Sequence, residues 1–201
     1  VCEGEPVILE AQDTTDRFSV WFRDSLLGLP IASGHILETS IDDSKHFYLQ
    51  QFRESSTNYQ VGVDSLVAGW RNNTSHPRGL GISVSNWIVL DSVAVFPEDS
   101  GEIFIFLESL NGDTLASQLI KVHERNFGKA FLVLNWVIPP GGYNLRIDYG
   151  AIGLGILPPA SGISYPITSP GGLDVIYTML QNGMPIYNTY QGIFDLRYRF
   201  L

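Results

Sequence analysis

The chain has 201 residues, enough for one large domain or two small ones, and its 44% hydrophobic, 12% aromatic and 16% charged residues fit a β-rich globular protein, not a disordered chain or a coiled coil. Its formal net charge of −9, with no basic stripe to neutralise phosphates, speaks against nucleic-acid binding. No apolar run approaches the roughly 20 residues that a membrane-spanning helix needs, so the chain is expected not to span a membrane by helices.

Taken in order, Val1-Cys2-Glu3-Gly4-Glu5-Pro6 carries no basic stretch followed by an apolar one, and reads as an opening inside a longer protein. Cys2 is the one cysteine and has no partner for an intrachain disulfide. Val7–Ala11, the alternating Phe18-Ser19-Val20-Trp21-Phe22, and His46–Phe52 read as strands. Asp24 to Gly34, with its glycines and Pro30, reads as a loop. The composition turns polar over Arg53–Tyr59, which places a boundary between a first unit, residues 1–54, and a second, residues 60–201.

The second unit continues with strands at 81–84, 88–96, 101–107, 114–123, 130–137, 143–149, 172–176 and 193–200. Asn111-Gly112-Asp113 between two such runs is a hairpin signal, and Pro139-Pro140-Gly141-Gly142 marks another turn. The best helical candidate, Val175–Leu180, is short and rich in β-branched and aromatic residues. So many short strands predict an all-β protein, with a small sandwich followed by a larger antiparallel β-sandwich that is jelly-roll-like. Trp21 and Trp136 lie in alternating runs and are expected in the core.

Chemistry-bearing constellations are sparse. His35, His46, His76 and His123 lack metal-ligand spacing, so no metal and no cofactor is expected. Asp42-Asp43 and Glu98-Asp99-Ser100-Gly101-Glu102 group oxygen ligands of the kind calcium prefers, but ordinary acidic turns look the same, and no spaced calcium loop occurs. There is no Gly-x-Ser-x-Gly elbow. Glu102, Glu108, Asp148 and Asp195 lie on or near strands at separations that sequence does not give. The glycines of Gly150–Gly155 lack dinucleotide-binding spacing, are followed by Pro158-Pro159, and read as flexible or closely packed backbone. No catalytic residue is assigned, and no enzyme activity is expected.

Loop aromatics stand apart. Trp70 and Arg71 sit in a polar stretch, 69–79, without strand pattern, and Tyr187 and Tyr190 sit in an amide-rich stretch, 182–192. An apolar ring with a polar tip suits a binding surface, and the other reading is that such rings cap the end of a sandwich. Trp70, Arg71, Tyr187 and Tyr190 are the candidate ligand or partner residues.

The first fifty residues resemble an immunoglobulin-like module common in secreted proteins of Bacteroidota. The likeness rests on Val1–Leu9 with its Cys2-x-Gly4-Glu5, the tryptophan strand Phe18–Phe22, and Ser44-Lys45-His46-Phe47-Tyr48-Leu49, where Phe47-Tyr48 replaces the usual double tyrosine. The remainder resembles the β-sandwich often found after such modules, through Ile88–Phe96, Gly101–Ile105, Leu110–Leu115, Leu134–Leu145 and Tyr165-Pro166. The resemblance implies export by the type IX route and an extracellular place on the cell surface, in a non-catalytic structural or adhesive module. The alternative is a carbohydrate-binding module appended to an exported enzyme. Expected partners are other domains of the same protein, a second copy, or a surface glycan.

Overall fold

Runs of β-branched and aromatic residues, broken by Gly, Pro and Asn, favour pleated strands joined by tight turns. The computed structural model describes residues 5–12, 16–25, 28–40, 45–53, 55–66, 71–73, 78–148, 152–157, 162–179, 185–187 and 190–201. Among them it contains antiparallel strands and no α-helix.

The first strands form two small sheets. β1 (Pro6–Glu10) pairs with β4 (Ile36–Ser40), and β2 (Phe18–Phe22) lies between β3 (Ala32–Ser33) and β5 (Tyr48–Phe52). Trp21, Ala11 and Leu37 make a small apolar cluster, with Leu9, Ala32 and Phe47 against it. The Trp21 indole N–H donates to the Gly34 carbonyl at 3.0 Å, which satisfies its one polar atom.

A half-buried strand alternates, but Ser19, Val20, Trp21 and Phe22 are all buried. The cause is cover on both faces. Trp21 points into the small cluster, while Phe22 meets Trp87 edge-on, with ring centroids 5.6 Å apart. Phe52, paired with Phe18 on the same sheet, packs on the same indole at 5.3 Å. Backbone bonds from Ser55 N to the Phe200 carbonyl (3.0 Å) and from Leu201 N to the Trp87 carbonyl (3.0 Å) close this junction.

Two larger sheets follow. One has the order β11-β10-β13-β8-β15-β16, built from Thr114–Val122, Gly101–Ser109, Gly141–Asp148, Arg78–Val84, Leu173–Met179 and Pro185–Ile186. The other has the order β12-β9-β18-β6, built from Ala130–Ile138, Ile88–Val95, Phe194–Phe200 and Tyr59–Val61. Their inner faces share one core, in which Leu80, Ile82, Ile103, Ile105, Leu145 and Ile147 of the first meet Leu90, Val93, Leu132, Phe194, Leu196 and Tyr198 of the second. This is a β-sandwich, with alternate residues facing in and out. The Asn111-Gly112-Asp113 turn closes β10 onto β11. Gly112 takes φ 91°, and the Ser109 hydroxyl accepts from the Asn111 and Asp113 amides. The Pro139-Pro140 turn instead carries the chain from one sheet to the other, and the Tyr143 hydroxyl donates to the Pro139 carbonyl at 3.0 Å.

Several expectations change. Residues 36–40 and 59–61, where no strand was expected, are β4 and β6, β3 lies inside the stretch Asp24 to Gly34 read as a loop, and Val175–Met179 of the best helical candidate, Val175–Leu180, lie in strand β15. The polar stretch after residue 69 contains strand β7 (Arg71–Asn73), and the 182–192 stretch contains β16 and strand β17 (Tyr190–Gln191). Both β7 and β17 pair with β14 (Leu154–Leu157), in the segment read as glycine-rich backbone. A partner strand, not side-chain pattern, makes these residues extended. Close packing holds for Gly155, where a Cβ would fall 2.8 Å from Leu66 Cδ1. Finally, Trp21 is buried but Trp136 only half so. A bulge in β12, with Asn135 at φ 54°, bends the strand and leaves Trp136 at the mouth of a cleft of about 160 Å³, shared with Leu29, Pro30 and Ile31.

Candidate functional site

The outer face of the six-stranded sheet carries an organised exposed surface, and its construction begins in β8. There Leu80, Ile82 and Val84 fill the core, so Gly79 and Gly81 face outward. At Gly79 a Cβ would fall 2.2 Å from the Leu145 carbonyl oxygen, so backbone crowding excludes any side chain. At Gly81 the obstacle is a ring, since a Cβ would fall 2.2–2.6 Å from Tyr177 Cζ, Cε2 and Cε1. Contact with three ring atoms at once means that Tyr177 lies with one face down on Gly81 and the other turned away from the sheet.

A bulge puts Tyr177 there. Leu173 and Val175 pair with Val84 and Ile82 on the core side, so strict alternation would send Tyr177 inward as well. The register slips between Val175 and Tyr177, which brings Tyr177 opposite Gly81 and leaves Thr178, opposite Leu80, to be buried. The Tyr177 hydroxyl donates to Asn144 Oδ1 at 2.9 Å, across β8 on the next strand. Burial against the sheet, together with Tyr187 nearby, raises the Tyr177 pKa above its ordinary value. Tyr187 stands at 73° to the Tyr177 ring with centroids 6.1 Å apart, and is 58% exposed.

The same face continues over β13 and β10. Arg146 makes two contacts to Glu108 Oε1, at 2.8 and 2.9 Å, and its guanidinium lies 4.2 Å from the Phe106 ring centroid. Phe104 stacks on Phe106 at 5.7 Å, and is 44% exposed beside its cross-strand neighbour Leu119. The result is a diagonal of rings, Phe104 and Phe106 at one end and Tyr177 and Tyr187 at the other, with the Arg146–Glu108 pair and Asn144 between them.

Of the residues expected from sequence, Tyr187 is part of this face. Trp70 lies outside the described residues. Arg71 and Tyr190 are brought to opposite sides of β14, with Arg71 opposite Ile156 and Tyr190 opposite Leu157, but their side chains lie outside the description. Sequence reasoning missed Phe104, Phe106, Arg146 and Tyr177. The first two left a partial signal, because Ile103-Phe104-Ile105-Phe106-Leu107 is apolar on both faces, and such a strand shows a row of rings wherever its outer face is left uncovered.

Two other carboxylates, Asp195 and Asp99, are engaged in ion pairs. Asp195, fully buried, meets Lys129 Nζ at 2.5 Å and Arg197 at 3.1 Å. In the acidic turn 98–102, Asp99 pairs with Arg125 at 3.1 Å and accepts from the Ser100 amide. Asp42-Asp43 lies outside the described residues. Among the described residues no group of three or more His, Cys, Asp or Glu is placed to hold a metal ion, and no helix is long and apolar enough to cross a membrane. A second cleft, of about 490 Å³, lies on the outer face of the four-stranded sheet beside Gln60, Asp91 and Arg197, where Arg199 is ion-paired to Asp91.

No family model, curated protein or solved structure matches the chain.

Proposed function

We propose that the chain is a non-catalytic structural or adhesive part of a larger exported, cell-surface protein, made of a small immunoglobulin-like unit fixed to a larger jelly-roll-like sandwich, and that it makes contact through the outer face of the six-stranded sheet. The observation that carries this reading is the exposed diagonal of rings from Phe104 to Tyr187, held in place by a bulge, two glycines and a fixed ion pair. Apolar rings left on a surface need a compensating role, and contact with a partner supplies one. The junction at Trp87 supports the structural half of the reading, because it ties the two units through packed rings.

The second reading is a carbohydrate-binding module attached to an exported enzyme, which the mixture of rings and fixed hydrogen-bonding groups favours equally. The first reading is tested on intact cells of the source organism. Antibody against residues 1–201 should label the surface, and deletion of this segment should reduce attachment. Labelling only after lysis would overturn the surface assignment. Turnover of ester or glycoside substrates by the fragment, abolished by one serine or carboxylate substitution, would overturn the non-catalytic assignment.

A further inference from the structure

We propose that the ring diagonal on the six-stranded sheet binds a neutral, extended, β-linked hexopyranose chain. The inference rests on the preceding reading of this face as the contact surface and names what it takes.

The floor is made for a flat apolar face that also carries hydroxyls. Tyr177, half-buried, has one ring face spent on Gly81 and the other turned away from the sheet. Tyr187 makes a wall beside it, and Phe104 offers a further exposed ring. The axial C–H groups of a pyranose form such a flat apolar face, and its equatorial hydroxyls point sideways toward hydrogen-bonding partners. Those partners are here: Asn144, held by Tyr177, and the Arg146–Glu108 pair, held against Phe106. Groups already locked by their neighbours lose little rotamer freedom when a ligand arrives.

Charge selects against an anionic chain. On the outward rows Arg146 is neutralised by Glu108, and Lys121 stands opposite Glu102, so each of these cations already faces a carboxylate. Among the described residues of these rows, a carboxylated or sulfated glycan would meet no uncommitted cation. Spacing selects an extended chain. Phe104 is on β10 and the Tyr177 ring lies over Gly81 of β8, two strands away and four residues further along, because Phe104 pairs with Asp148 and Gly81 with Asn144. Roughly 10 Å across and roughly 13 Å along the strands make about 16 Å, which only a chain of several sugar residues would span. Equatorial linkages keep successive rings in one ribbon that can touch both sites. A second protein would suit an all-apolar face better than one interrupted by a fixed ion pair.

Isothermal titration of the whole chain tests the proposal, with cellohexaose and mannohexaose as β-linked probes, maltohexaose as the α-linked control and a hexagalacturonate as the anionic control. Binding of at least one β-linked probe, weakened roughly tenfold in Tyr177→Ala and in Phe104→Ala, is expected. Tyr187→Ala, at an exposed position, keeps the test open if Tyr177→Ala does not fold. Preference for the anionic or the α-linked oligomer overturns the proposal, as does affinity unchanged in all three variants. If no hexaose binds while the same substitutions reduce cell attachment, the ligand class is wrong and the adhesive face stands. If neither changes, both readings fall.

Discussion

The ring of Tyr177 occupies the space that a side chain at residue 81 would require, with a Cβ there only 2.2 Å from Tyr177 Cζ. Gly81→Ala should therefore lift the ring, break its hydrogen bond to Asn144 and cost about 1–3 kcal/mol. In a Tyr177→Ala background the same substitution meets open space and should cost less. Denaturant unfolding of the four proteins measures the difference, and equal costs in both backgrounds would show that the ring is not held by this contact.

Trp87 joins the two parts of the chain through Phe22 and Phe52. Trp87→Ala should cost about 3–5 kcal/mol, as truncation of a large aromatic in a packed site does. Calorimetry should then resolve two melting transitions where the parent shows one. A single transition at an unchanged temperature would mean that the junction contributes nothing.

Asp195 is buried between Lys129 and Arg197, at a φ of 40° that asparagine also tolerates. Asp195→Asn thus removes the charge without adding backbone strain. It leaves Lys129 facing a neutral amide and should cost about 3 kcal/mol or more. Lys129→Met should cost less, because Arg197 still serves the carboxylate. The ranking of the two midpoints decides, and a larger loss for Lys129→Met would contradict it.

Burial pushes the Tyr165 hydroxyl up to about 12, partly offset by its 2.6 Å hydrogen bond with Thr178, and burial also raises Tyr143, Tyr177 and Tyr198. A raised folded-state pKa means that the native state holds the proton more tightly than the unfolded chain. The stabilisation is complete below the ordinary value of 10.0 and is lost as pH rises toward about 12. Urea midpoints taken from pH 8 upward should hold steady and then fall above pH 10, with a shallower fall in Tyr165→Phe. An identical fall in that variant would remove Tyr165 as a cause.

The legible part of the fold was the part encoded locally. Asn111-Gly112-Asp113 makes its turn with its own side-chain and backbone geometry, so three residues announce it. Most of the strand at 101–109 is legible, as the expected run 101–107, because Ile103–Leu107 is an unbroken series of β-branched, aromatic and aliphatic residues that ends before the Asn111-Gly112-Asp113 turn. By contrast, Arg71–Asn73 and Tyr190–Gln191 are extended because Leu154–Leu157 lies between them, and nothing in either triplet or pair says so. Tyr177 was hidden by a one-residue slip, since alternation counted from Leu173 sends it into the core. Tyr187 was legible because a tyrosine among amides and glycines has no core to enter.

Strand β2 belongs to two interiors at once. Trp21 serves one and Phe22 the other, and the residues between Ser19 and Phe22 have no face turned to water. Mutational drift elsewhere in the chain can be absorbed on the outward side of a strand. Here it has nowhere to go, so in a population of related chains these four consecutive positions should vary least, and any shift of the β3-β2-β5 sheet against Trp87 should require paired replacements at Phe22 and Trp87.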